Sequence, residues 1–451
     1  MSSARAQTAT AALAARAPEP QLAGASFARG ARGRLLPLIV PMRFFGAAVA
    51  FHLFAWIALA IGASQVPRYA GGIGWPLAAL HALTLGVFVM TAIGASLQLM
   101  PVATRQALVS RRAVDAVWWL YTPGVAALVL EMALQSPLVM ALAALPVAAA
   151  LLIYLALLAR NLAGARGMPG VRAMGWLAMA ALALALASAL GMLATWAGWG
   201  AWPRPALLML HITMAVFGFM GLLALGLSNV LVPMFALAPV PHERTQLAIA
   251  ALCALALALT LPVALQSWPP QALLGPIALA AAATAWHLAS MRGVLRQGLR
   301  RELGGSFRLV RLAWVMLGIT WALAAWWALD RARPGLATAL IASALLGWLT
   351  PFLFGILQRI VPFLVAMHLG GTVRRAPTPS SLTNERTLAW HRRGHAAALV
   401  LLVLAIALDS AAAALAAGLA GMVGALAFAA FFVTVLRRTA RARAAPGASR
   451  A

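Results

Sequence analysis

Apolar residues in this chain fall into twelve long runs, at about 43 to 65, 74 to 103, 113 to 133, 137 to 160, 173 to 198, 204 to 236, 245 to 265, 270 to 291, 308 to 329, 335 to 366, 389 to 409 and 411 to 436. Each is near or above the roughly 20 residues that a helix needs to cross a hydrocarbon layer about 30 Å thick. Short polar segments separate them. The pattern predicts an all-α polytopic membrane protein of about twelve transmembrane helices, with the bilayer taking the place of much of the core of a soluble domain.

Three of the runs share a spacing. Gly86, Gly94 and Pro101 stand as G-x7-G-x6-P, and so do Gly218, Gly226 and Pro233, and Gly347, Gly355 and Pro362. Independent placement of the glycines and prolines would give roughly 0.2 matches in the whole chain, so the three copies point to an internal repeat. They fall on the second, sixth and tenth runs. The unit is therefore four helices used three times, in pseudo-repeats at about 43 to 160, 173 to 291 and 308 to 437. Within a helix the second Gly and the Pro lie almost on one face, with the first Gly about 80° round from it. Such a small-residue stripe is expected to let a neighbouring backbone approach closely. The proline near the end of each run is expected to kink its helix where neighbours satisfy the freed carbonyl.

Charge adds orientation. The chain is 64% hydrophobic and only 9% charged, and its 34 basic residues, all arginine, leave a net charge of +26. In a soluble chain that excess would suggest nucleic acid; here the arginines lie between apolar runs and at the ends, where they read as topology signals. Clusters at Arg105, Arg111 and Arg112, at Arg160, Arg166 and Arg172, at Arg292 to Arg311, at Arg374, Arg375 and Arg386, and at Arg437 to Arg443 alternate with sparse loops holding Arg68, Arg204, Arg331 and Arg333. This asymmetry places both termini in the cytoplasm, and the Ala, Leu and Arg bias fits a bacterial gene, so the expected location is a bacterial inner membrane, with the lipid bilayer as partner and no nucleic acid. Residues 1–42, rich in Ala and Arg, read as a disordered cytoplasmic tail, with a mitochondrial transit peptide as the other reading; residues 438–451 read as a second basic tail. The single cysteine, Cys253, excludes a disulfide framework and a CxxC pair and reads as a small core residue.

Histidine carries the candidate chemistry. An imidazole within a membrane helix is costly unless hydrogen-bonded or ligated, so each one marks a candidate site. His81 and His211 lie about seven residues into the second and sixth runs and hence at similar depth, with His52 somewhat deeper on the first. Two imidazoles at one depth could hold a haem iron or a copper ion. The alternative is an interhelical hydrogen bond. Their registers against the glycine stripe differ by about 160° on an ideal helix, which suggests separate sites. His391 and His395 share a helix face, but Arg392 and Arg393 beside them disfavour a cation and the absent Glu excludes HExxH, so they read as a helix start facing lipid headgroups. Burying Arg359 or Glu131 in lipid would cost about 2.5 to 3.5 kcal/mol each. Arg359 either snorkels to headgroups or pairs with an acidic group such as a haem propionate. No Walker A sequence, carboxylate pair or Ser-His-Asp grouping is present.

With twelve helices in three groups of four, and the segments HALTLGVFVMTAIGASLQLMP, HITMAVFGFMGLLALGLSNVLVP and GWLTPFLFGILQRIVPF, the chain resembles the haem-copper oxidase subunit I superfamily, its divergent oxidase-like and NnrS-like members most of all. By position, His81 matches that family's low-spin haem ligand on the second helix and His211 its copper ligand on the sixth. The resemblance implies haem or copper held by His81, His211 and His52, with Arg359 at a propionate. It also implies a link to nitric oxide or respiratory metabolism, with other respiratory or denitrification membrane proteins as partners. The family's further ligands are a His-His pair near helix seven and an H-x-H pair on helix ten. Residues 245–265 and 335–355 contain no histidine, and Ala215 stands where oxidases often carry Tyr. The expectation is an oxidase-like protein that is not a terminal oxidase. The competing reading is a secondary transporter without a cofactor, in which His81, His211, Glu131 and Arg359 handle a small solute or a proton. A third is an accessory subunit of another membrane complex.

Overall fold

A computed structural model describes residues 34–106, 110–370, 373 and 376–444. Of the tails expected at 1–42 and 438–451, residues 1–33 and 445–451 lie outside the described residues, as do Arg374 and Arg375, while residues 39–42 and 438–444 are helical. Twelve long helices fill the described chain: α1 Ile39–Ile61, α2 Trp75–Ala103, α3 Arg111–Leu134, α4 Pro137–Ala163, α5 Pro169–Trp196, α6 Arg204–Ala236, α7 Glu243–Ala264, α8 Pro270–Gln297, α9 Gly304–Leu329, α10 Leu336–Leu369, α11 Glu385–Ala407 and α12 Ala411–Ala444. Eleven of them are long and apolar enough to cross a bilayer; the remaining one, α11, carries Glu385, Arg386, Arg392 and Arg393 in its first turns. α12 runs on through Arg441 and Arg443 as helix, past the end expected near residue 437. Short connections make neighbouring helices antiparallel, so α1 begins and α12 ends on one face, called here the terminal face.

The glycine stripes show how the bundle is assembled. A Cβ placed on Gly86 would stand 2.4 Å from Phe51, and one on Gly94 would stand 2.8 Å from Phe44, both on α1. On Gly218 and Gly226 it would meet Ala181 and Met174 of α5 at 2.6 and 3.2 Å, and on Gly347 and Gly355 it would meet Met316 and Val310 of α9 at 2.5 and 2.8 Å. Each stripe is thus the seat of the helix just before it, too tight for a Cβ at five of the six glycines and close at Gly226. α12 in turn packs on α1, where a Cβ on Gly418 would stand 2.7 Å from that of Ala60, so the two ends of the bundle meet.

Each stripe helix also departs from α geometry at the same place. The helices open to π-type turns over Ala82–Val89, Thr213–Gly221 and Ser343–Leu349, each beginning four or five residues before the first stripe glycine. π turns are rare and occur mostly at functional positions. Pro101, Pro233 and Pro362 stand inside their helices further along, as the spacing predicts.

Tryptophans and arginines mark the rims. Arg204 lies over Trp196, Arg331 over Trp327 and Arg333 over Trp326, at 5.1, 4.4 and 5.0 Å from the ring centres. These pairs place an amphipathic ring and a charge together at the helix ends, where membrane meets water.

Candidate functional site

His81 ends the α-helical first turns of α2, and the π turns begin at the next residue. His211 comes two residues before the π turns of α6. Their rings face each other, with centres 6.3 Å apart and planes 16° from parallel. His81 Nδ1 is 3.1 Å from the Leu77 carbonyl, one turn back, and His211 Nδ1 is 2.9 Å from the Ala185 carbonyl of α5. Nδ1–H is therefore the donor on each ring. The free lone pair of each neutral imidazole is on Nε2. Both side chains are half-buried.

The register argument pointed to separate sites, and the structure corrects it. Ideal helix arithmetic of about 100° per residue fails across a π turn, which takes up extra residues. Helices arranged around one bundle also present opposite flanks to each other. Two histidines on α2 and α6 meet because their registers differ.

His52 is not part of this pair. It is buried on α1, and its Nε2 accepts the indole N–H of Trp56 at 3.0 Å. That bond occupies the one lone pair of a neutral imidazole, so His52 in this tautomer is a hydrogen-bond donor through Nδ1 rather than a metal ligand. Arg359 is likewise engaged away from His81. Its Nε donates to Ser306 Oγ at 2.8 Å and a terminal nitrogen donates to the Leu303 carbonyl, tying α10 to the start of α9.

The headgroup-facing position expected for His391 and His395 is also corrected. His391 is 1% exposed and His395 3%. Gly394 faces Gly424 so closely that a Cβ there would lie 2.6 Å from the Gly424 nitrogen, and this approach turns the histidine face of α11 inward against α12. The bundle thus gathers His52, His391 and His395 around Phe354 and Phe428, a cluster formed from α1, α10, α11 and α12. His287 on α8 is another buried imidazole, with neither ring nitrogen hydrogen-bonded. Its place in LASMRG-like sequence near a helix end gave no sign of that burial.

A cavity of about 200 Å³ lies between α6, α7, α8, α9 and α10, lined among others by Thr213, Phe217, Cys253, Thr284, Trp321 and Trp348. Phe217 stacks on Trp321 and Trp348, with centres at 4.9 and 6.0 Å. No histidine lines it. Imidazole and apolar cavity are thus separate. Cys253, read from sequence as a core residue, is buried on α7 and forms part of this wall. Among the described residues no group of three or more His, Cys, Asp or Glu side chains is placed to hold one ion.

No known family's sequence profile matches the chain, and no curated protein does. The fold, by contrast, has solved counterparts. One is a chain of a structure described as a haem-copper terminal oxidase dimer, which aligns over 91% of this chain and 84% of its own length with a TM-score of 0.61 and 13% sequence identity. At that identity the likeness concerns architecture alone. The twelve-helix bundle is a polytopic membrane fold of the haem-copper oxidase subunit I-like type.

Proposed function

We propose that this protein is an oxidase-like membrane protein that binds a metal ion between His81 and His211. The observation that carries the reading is the facing pair itself. An imidazole nitrogen binds such an ion at about 2.0 to 2.1 Å. The two ring centres are 6.3 Å apart, close enough for one ion to lie within reach of both Nε2 atoms after a small ring rotation. The carbonyls of Leu77 and Ala185 hold the outer nitrogens and fix the tautomer, as second-shell acceptors of ligating histidines do.

Copper suits the pair better than haem. A haem needs an imidazole beside a flat apolar slot, whereas here the ring-lined cavity carries no histidine. Bound there, copper would supply one-electron chemistry, and the two histidines would hold and orient it. A role in nitric oxide or respiratory metabolism, placement in a bacterial inner membrane with both termini in the cytoplasm, and association with other respiratory membrane proteins complete the reading. They rest on the oxidase-like fold and the arginine asymmetry. The three four-helix units at about 43–160, 173–291 and 308–437 are part of it, supported by the three equivalent glycine seats. The transporter reading rests on no comparable arrangement of side chains.

Metal analysis and a visible spectrum of the full chain purified in detergent test this. The expected result is bound copper that drops by one equivalent in His81→Ala and in His211→Ala. A Soret band lost in His81→Ala would move the assignment to haem iron. A folded, colourless protein that takes up no metal at this pair would overturn it.

A further inference from the structure

We propose that His391 and His395 form a second, separate copper site inside the membrane-spanning bundle, selective for the monovalent ion and closed by His52. The two residues are one turn apart on α11, with ring centres 6.5 Å apart and planes 23° from parallel, nearly the geometry of the His81–His211 pair. His391 Nδ1 is 3.1 Å from the Gly424 carbonyl of α12, which leaves Nε2 as the free lone pair. The Gly394–Gly424 crossing is what brings that carbonyl within reach.

The cluster is short of partners. Nδ1 of His52 is buried without a hydrogen bond, and His395 has at most the Leu346 backbone as partner, which leaves one of its nitrogens free. Buried polar atoms nearly always have a partner, and two without one in the same place call for an occupant. An ion on His391 and His395 uses the lone pairs. The Nδ1–H of His52, whose ring centre is 6.0 Å from that of His391, is then the donor for a water or anion completing the coordination.

Charge selects the ion. The ligands are neutral and the surroundings are Phe354 and Phe428, with no carboxylate in the cluster. The cost of desolvating an ion grows with the square of its charge, so a monovalent ion is favoured over a divalent one, and imidazole suits copper. The neighbouring arginines do not prevent this. Arg392 is packed on Gly305 and lies 3.7 Å from the Glu385 carboxylate, and Arg393 lies over Trp390. Both histidines are almost fully buried between helices, away from any headgroup contact.

The test is an anaerobic titration of the full chain in detergent with monovalent copper against a competing chelator. Two equivalents are expected in the parent. The double variant His81→Ala/His211→Ala should keep one, with imidazole scattering in its X-ray absorption spectrum. Adding His391→Gln, which retains a donor for Gly424, should remove it, and adding His52→Phe instead should weaken it by about 10- to 100-fold. A double variant that binds no copper overturns the proposal and leaves the His81–His211 site standing. So does a chain that keeps its second equivalent after His391→Gln and His395→Ala. Copper lost with His391 but unaffected by His81→Ala would instead refute the outer pair alone.

Discussion

At the scale of single residues, the sequence shows which side chains are out of place in a membrane but not what each one does. His52, His81, His211, His391 and His395 are all histidines in apolar helices, yet one accepts an indole N–H and three have Nδ1 held by a carbonyl. The difference lies in partners from other helices, such as Ala185 and Gly424, that no local pattern reveals. Outside the spans, Tyr69 gives a pH prediction. Its hydroxyl donates to the Gly72 carbonyl at 2.5 Å in the loop between α1 and α2, and burial pushes its pKa up to about 12 against the opposing pull of Arg204. In the unfolded chain the phenol ionises near its usual value of about 10. The native state therefore holds more protons between those values, and the stabilisation present below pH 10 is lost as pH rises towards 12. Apparent unfolding midpoints in detergent at pH 9, 10 and 11 should fall more steeply for the parent than for Tyr69→Phe; parallel curves would refute the assignment.

At the scale of helices, the glycine spacing was legible because it is a direct imprint of packing. A close helix approach favours glycine at a fixed position, and six such marks locate three helix seats. Gly86→Ala should accordingly destabilise the protein by about 1 to 3 kcal/mol through overpacking against Phe51, read as a lower midpoint of thermal unfolding in detergent. Gly275, with no atom within 4 Å of an added Cβ, is the control and should tolerate Ala. The π turns left no such mark. They depend on hydrogen-bond register along the backbone, and LTLGVFV, AVFGFMG and ALLGWL share little beyond the glycine. Because those turns shift the phase between histidine and stripe, angles computed for an ideal helix could not place His81 relative to His211.

At the scale of the molecule, twelve antiparallel helices, eleven of them apolar enough to cross a bilayer, and the arginine asymmetry make one claim together. If the terminal face is cytoplasmic, a fluorescent protein fused after residue 451 should fluoresce in cells. Alkaline phosphatase inserted in the loop between α5 and α6 should be active. The reverse pattern would invert the orientation.

By itself the sequence determined the number and approximate ends of the helices, the positions of the glycine seats and the set of histidines out of place. Each of those follows from local chemistry: the thickness of a bilayer, the size of a side chain, the cost of an imidazole in lipid. Only the tertiary structure decided which imidazoles meet. His81 joins His211 across 130 residues and His52 joins His391 across 339, because α12 closes on α1 and the stripe helices turn different flanks to one another. Contact between distant helices depends on azimuth around the bundle. Spacing along a chain does not carry that quantity once π turns intervene.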